Sequence, residues 1–261
     1  MTHDDDWTPV TTGESGAAVF RSADGSRYAK HVPATDPAGA AELAAERDRT
    51  AWLAGQGVPG PRVLDWHADD TGARLVTTAV PGVSADELPP DDLRACWSRI
   101  AEAVRTLHAL PTAGCPYRRD LDDVIATARD VVARNAVNPD FLPEEQQHTP
   151  AAELLARLEP QLAERRKQAA DDTVVCHGDL TLPNIVLDPR TLNVAGFIDL
   201  GRLGLADRHT DLAVLLTNAR ETWPTEAEAR TRDAAFAQHY GTTPDPTRLR
   251  FYLHLDPLTW G

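Results

Sequence analysis

The sequence is nearly without lysine: of 26 basic residues, only Lys30 and Lys167 are lysine. Cysteine is also scarce. Cys96, Cys115 and Cys176 lie far apart and lack the paired spacing of a zinc site or a disulfide framework. Reduced thiols in a cytoplasmic chain are the expectation. No apolar run approaches the roughly 20 residues that cross a bilayer. The start, Met-Thr-His-Asp-Asp-Asp, lacks the basic and apolar regions of a signal peptide. Positive charge is in deficit, with 40 acidic residues against 26 basic ones and a net charge of −14. That disfavours nucleic acid and anionic membranes as partners and favours a cationic small molecule. Acidity alone also serves solubility, so it decides nothing by itself. No internal repeat is present.

What is there reads as a globular chain. It has 261 residues, 42% of them apolar and 25% charged, enough for one large domain or two lobes. Residues 8 to 32 read as β structure, with Asp24-Gly25 as a hairpin turn. Residues 38 to 54 read as a helix, with Leu43, Glu46 and Leu53 on one face. Further strands fall between Val63 and Val80, and Pro81-Gly82 reads as a hinge. Beyond it the pattern turns helical, at about 92–109, 120–134, 151–169, 208–222, 226–240 and 246–255. A hairpin over 174–199 interrupts these helices. The expected architecture is α+β and bilobal. A small β-rich N-terminal lobe, 1–80, precedes a larger, mainly helical C-terminal lobe, 81–261.

The chemistry concentrates between 174 and 202. Asp179 follows His177-Gly178 at a strand end, Asn184 comes five residues later, and Asp199 ends the run Gly-Phe-Ile. A carboxylate, an amide and a second carboxylate in this layout suit phosphoryl transfer. The first orients a substrate hydroxyl, and the other two are hard ligands for magnesium on a nucleotide. Each alone has a plainer reading: Asp179 as a turn residue, Asp199 as a helix cap. The spacing of all three disfavours those readings. In an arginine-rich chain, Lys30 at a strand end suits a compact phosphate contact. Glu46 on the next helix can pair with it, or else with Arg49 or Thr50 on its own helix. The loop Gly13 to Gly16, with Ser15, can cover phosphates, though it is not a full Gly-x-Gly-x-x-Gly. Tyr28 can stack on a base or pack within the sheet. His177 reads as a structural brace. Asp-Phe-Gly and Ala-Pro-Glu segments are missing, which argues against a eukaryotic-type protein kinase.

At these residues the chain resembles the aminoglycoside phosphotransferase family. The resemblance rests on His-Gly-Asp-Leu-Thr-Leu-Pro-Asn at 177–184, Phe-Ile-Asp-Leu-Gly-Arg-Leu-Gly at 197–204, and Ala-Asp-Arg-His-Thr-Asp-Leu-Ala at 206–213. Phe-Tyr-Leu-His-Leu-Asp at 251–256 adds to it, and coverage is essentially full length. It implies a protein-kinase-like fold and ATP with Mg2+ as cofactors. Asp179 would be catalytic, and Asn184 and Asp199 would bind metal. Ser15, Tyr28, Lys30, Glu46 and the backbone at Thr78 and Val80 would bind the nucleotide. Asp211 would brace the catalytic loop.

Where several kanamycin-type relatives carry an acidic residue in that loop, this chain has Leu182. Its ending, Pro-Leu-Thr-Trp-Gly, differs from theirs as well. The resemblance, which also takes in Arg-Asn-Ala-Val-Asn-Pro-Asp-Phe-Leu-Pro at 134–143 and the ending Leu-Asp-Pro-Leu-Thr-Trp-Gly, implies phosphorylation of a cationic aminoglycoside, first the 3″-hydroxyl of streptomycin. Asp140, Glu144, Glu145 and Asp256 are candidate partners for its guanidinium groups. Alternatives are a kanamycin-type substrate, a small alcohol such as choline or homoserine, or a pseudokinase-like ATP-binding module. A monomer is expected, with a dimer left open.

Overall fold

The structure is a computed structural model that describes residues 7–10 and 17–261. The chain divides into two compact units. One comprises 1–88 with 183–202, and the other 89–182 with 203–261. A linear boundary at 80/81 does not include that second stretch of the first unit.

The first unit is built on an antiparallel sheet of β1 (Trp7–Val10), β2 (Ala18–Ser22), β3 (Arg27–Pro33), β4 (Val63–Asp69) and β5 (Gly72–Thr78), in the order β1-β2-β3-β5-β4. The Asp24-Gly25 turn forms as expected, with Gly25 at φ 68°. Helix α1 (Pro37–Gly55) starts where Asp36 accepts a hydrogen bond from the Gly39 amide and Pro37 occupies the first turn. Such a cap stabilises a helix by about 1 kcal/mol. Leu43 of α1 packs on Val32, Ala73 and Leu75 of the sheet.

Residues 183–202 join this unit through a second small sheet. There β6 (Val83–Ser84) pairs with β8 (Ile185–Leu187), and β8 with β9 (Val194–Phe197). The Phe197 amide donates to the Pro59 carbonyl at 3.1 Å. Gly82, at φ 149°, lies so close to β8 that a Cβ there would meet the Leu187 carbonyl oxygen at 2.3 Å. Glycine is required at that crossing.

The second unit is helical. It contains α2 (Pro90–His108), α3 (Leu121–Ala133), α4 (Ala151–Leu158), α5 (Leu162–Asp172), α6 (His209–Arg220), α7 (Glu226–Tyr240) and α8 (Pro246–Leu255). One core gathers Leu121 and Ile125 of α3, Leu155 and Leu158 of α4, and Phe251 and Leu255 of α8. Trp97 of α2 packs edge-on to Trp223 and tilted against Phe236 of α7.

Two expectations are corrected. The helix expected over 151–169 is two helices, broken at Glu159–Gln161 by Pro160, which lacks the amide a continuous helix needs. The hairpin expected over 174–199 is confined to β8 and β9. The preceding strand, β7 (Thr173–Cys176), instead pairs antiparallel with β10 (Gly204–Asp207). The eight residues from His177 to Asn184 form a loop with its own hydrogen bonds, so β7 does not lead directly into β8.

Asp207, buried at the end of β10, is a hub of this unit. It accepts from the His209 amide and ring, from Arg248 and from the Tyr252 hydroxyl. Arg248, also buried, pairs in addition with Asp172. Burial alone would raise the Asp207 pKa, but the His209 and Arg248 hydrogen bonds outweigh it and hold the carboxyl below the usual range. Its stabilisation is therefore present above the ordinary value of 3.8 and is lost as pH falls through the depressed folded value. Asp207→Ala should cost about 3 kcal/mol or more, because it strips a buried guanidinium of one partner. Urea denaturation at neutral pH measures this, and a loss below about 1 kcal/mol would mean that water replaces the carboxylate.

Candidate active site

In the first unit, β3 and α1 bring Lys30 and Glu46 together. Lys30 shares its strand face with Tyr28 and Val32 by the two-residue repeat. The Lys30 ammonium donates to both Glu46 carboxylate oxygens and to Asp199 Oδ1, each at 2.8 Å. Lys30 and Glu46 side chains are 18% and 13% exposed, Asp199 43%. Glu46 thus bonds the lysine, the first of the two alternatives open in the sequence. Burial would lower the Lys30 pKa, yet the Glu46 and Asp199 charges outweigh it and hold the ammonium charged. Glu46 is pushed up, chiefly by burial.

Asn184 lies beside Asp199. The Ile198 amide donates to the Asn184 carbonyl at 3.0 Å and locks the neighbouring backbones together. Asp199 has φ 61°, a left-handed backbone that costs a non-glycine residue roughly 1 kcal/mol. Strain of this kind persists where surrounding structure imposes it. Here the Lys30 bond and the 3-10 turn Leu200–Arg202, which packs on α1, hold the residue. The amide oxygen and carboxylate are hard donors, and a cation, the Lys30 ammonium, already sits on Asp199. The donor set fits magnesium.

Tyr28 has the Arg21 guanidinium 5.8 Å from its ring centre. The Thr78 amide donates to the Arg62 carbonyl at 2.9 Å. Val80 is half-buried in the segment after β5. Ser15 lies outside the described residues.

In the second unit, Asp179 follows β7 in a loop shaped by Asp211. The fully buried Asp211 carboxylate accepts from the His177 amide at 2.6 Å and the Gly178 amide at 2.8 Å. Gly178 adopts φ 86°, which a residue with a Cβ would resist. His177 is fully buried, and its Nδ1 accepts from the Asp179 amide at 3.3 Å, a brace as expected. Asp211 Oδ2 also bonds His108 Nε2 at 3.0 Å, and His108 Nδ1 bonds the Tyr240 hydroxyl at 2.8 Å. Burial would raise the Asp211 pKa, but the His108 bond and charge and the loop amides hold it low. Asn218 of α6 accepts from the Leu182 amide at 2.9 Å. Leu182, where an acidic residue stands in some relatives, is itself buried in the core.

The acidic candidates fall in this unit. Asp140 lies in the turn Pro139–Phe141, and Phe141 packs edge-on against Trp260. The Trp260 indole donates to Asp256 Oδ2 at 3.1 Å, which brings the Asp140 turn to the Asp256 end of the chain. Arg119 approaches Asp256 at 3.9 Å. Glu144 and Glu145 are exposed in the following turn, with Glu145 near enough to His254 to act on its charge.

The model of the phosphotransferase enzyme family known as APH matches residues 6–252. The chain belongs to this family. Similar APH-family proteins include the streptomycin 3″-kinase of Streptomyces griseus, 70% identical, with 98% of this chain and 93% of that protein aligned. The aminoglycoside 3′-phosphotransferase of Streptomyces fradiae is 42% identical, with 96% and 94% aligned. Among solved APH structures, APH(3″)-Id of Streptomyces rimosus, in complex with ADP and streptomycin, superposes with a TM-score of 0.93. It is 59% identical, covering 99% of this chain and 94% of that one. The fold is the kinase-like APH fold, with a small antiparallel-sheet N-terminal lobe and a helical C-terminal lobe. No helix among the described residues is long and apolar enough to cross a membrane.

His108, Tyr240, Arg119 and Asn218 were not anticipated from the sequence. His108 had a visible signal, since it falls on the apolar stripe of α2 four residues after the buried Val104. Asp199→Gly removes the left-handed strain and should leave thermal stability unchanged or higher. A drop of several degrees in Tm would show that the carboxylate's bond to Lys30 outweighs the strain.

Proposed function

We propose that this APH-family chain is a streptomycin 3″-kinase, transferring a phosphoryl group from ATP to the 3″-hydroxyl and so conferring resistance. The phosphate adds negative charge to a cationic drug and opposes its binding to RNA. The observation that carries the reading is the Lys30–Glu46–Asp199 cluster with Asn184 beside it, in a chain 70% identical to a streptomycin 3″-kinase.

The proposed roles divide between the two compact units. In the first, Lys30 donates to phosphate oxygens while Glu46 keeps it aimed. Tyr28 stacks on adenine, and the Thr78 carbonyl and Val80 backbone bond its edge. The Ser15 loop covers the phosphates. Asn184 and Asp199 would hold Mg2+, which would supply positive charge to neutralise what develops on the phosphates. In the second unit, Asp179 accepts the hydrogen bond of the attacking hydroxyl and takes its proton late in transfer. Asp211 holds the loop that presents Asp179. Asp140, Glu144, Glu145 and Asp256 receive the guanidinium groups of the drug.

The decisive assay is ATP- and Mg2+-dependent phosphorylation of streptomycin beside kanamycin, followed by mass. Phosphorylated streptomycin is expected, with Asp179→Asn slower by at least about a hundredfold. Product from kanamycin alone would overturn the substrate while keeping the mechanism. Asp256→Asn should raise KM for streptomycin about tenfold and leave KM for ATP unchanged. An unchanged streptomycin KM would remove Asp256 from the pocket and leave its carboxylate a structural partner of Arg119 and Trp260.

A further inference from the structure

A cavity lies within the helical unit, between α5 and α8, on side chains to which the proposed reaction assigns no role. Its volume is about 360 Å3, and its lining includes Gln161, Arg165, Thr247, Arg250, Phe251 and His254. Two of these are guanidinium groups and one is an imidazole, and no carboxylate lines the cavity. In a chain of net charge −14, this local excess of cations is unexpected.

Arg165 is the anchor. It is 7% exposed, and its guanidinium lies over the Phe251 ring with 5.5 Å to the centroid. Its Nη atoms donate only to neutral oxygens: Gln168 Oε1 at 2.8 Å, Gln161 Oε1 at 3.2 Å, and the Thr247 hydroxyl and carbonyl at 3.4 Å. Its Nε has no hydrogen-bond partner. A buried charge without a counter-charge is costly. Asp245, the cap of α8, acts on it through space without a direct ion pair. One oxygen of Asp245 is already shared among the Thr247 amide, the Thr247 hydroxyl and the Arg248 amide. Arg250 forms no ion pair among the described residues, and together with burial it disfavours the charged form of His254.

We propose that this cavity binds a small oxyanion, with phosphate as the model ligand, held by Arg165 and Arg250 and contacted by His254. The planar guanidinium forks match phosphate geometry. Bound anion would supply the counter-charge that Arg165 lacks and would favour the imidazolium of His254 against Arg250 and Arg157, in the same sense as Glu145.

The test is a titration of the full-length protein, 13C-labelled in histidine, with inorganic phosphate or with ADP at constant ionic strength set by chloride. The His254 signal is assigned through His254→Gln. Phosphate is expected to shift His254 saturably and raise its pKa, and Arg250→Gln, a change at an exposed side chain, to weaken that response about tenfold. A response to ADP alone, weakened in Arg250→Gln, would identify nucleotide phosphates as the source of the anion. Either of those results supports the site. No shift, a shift equal to that of chloride, or one unchanged in Arg250→Gln would overturn it. Arg165→Gln, checked for folding by its melting transition, should abolish the response, and its persistence would also overturn the site.

Discussion

The loop that carries Asp179 depends on one buried carboxylate. Asp211 stands on α6, yet it satisfies the amides of His177 and Gly178, residues that no strand or helix pairs. Buried amides left unbonded would each cost about 1–3 kcal/mol, so the loop has strong reason to keep this shape. Asp211 is in turn held by His108 from α2, and His108 by Tyr240 from α7. Three helices thereby converge on the two residues that precede Asp179. Asp179 itself is half-buried, while its support is wholly interior.

The first unit uses the opposite device. There Lys30 and Glu46 are mostly buried between sheet and helix, Asp199 is more exposed, and two carboxylates share one ammonium. Lys30 is one of only two lysines in the chain, and its position explains why arginine does not stand there. A compact ammonium can meet Glu46 and Asp199 at 2.8 Å each, where a planar fork would commit to one carboxylate face. Asp199 is strained as well as charged, and a local cost at a chemical position, met by packing around it, is a familiar trade between stability and function.

Charge is unevenly distributed over this acidic chain. Where the proposed drug-binding acids lie, Asp256 already faces Arg119 and the Trp260 indole, so it is oriented before any ligand arrives. Between α5 and α8 the balance inverts, and cations line a cavity without an acid. The net charge of −14 describes neither place.

Much of this was legible in the sequence because it is local. Periodicity marked α1 and the later helices, Asp24-Gly25 marked a hairpin, and the spacing of Asp179, Asn184 and Asp199 marked the candidate site, since each depends on residues a few positions apart. Pro160 was equally visible, but its cost was overlooked within a long apolar pattern. Only the tertiary structure decided which distant segments meet. It paired β7 with β10 rather than with β8, set Lys30 against Asp199 across 169 positions, and placed His108 and Tyr240 beneath Asp211. Those choices follow from satisfying buried polar groups and filling a core, and such demands act between side chains whose separation along the chain says nothing of their distance in space.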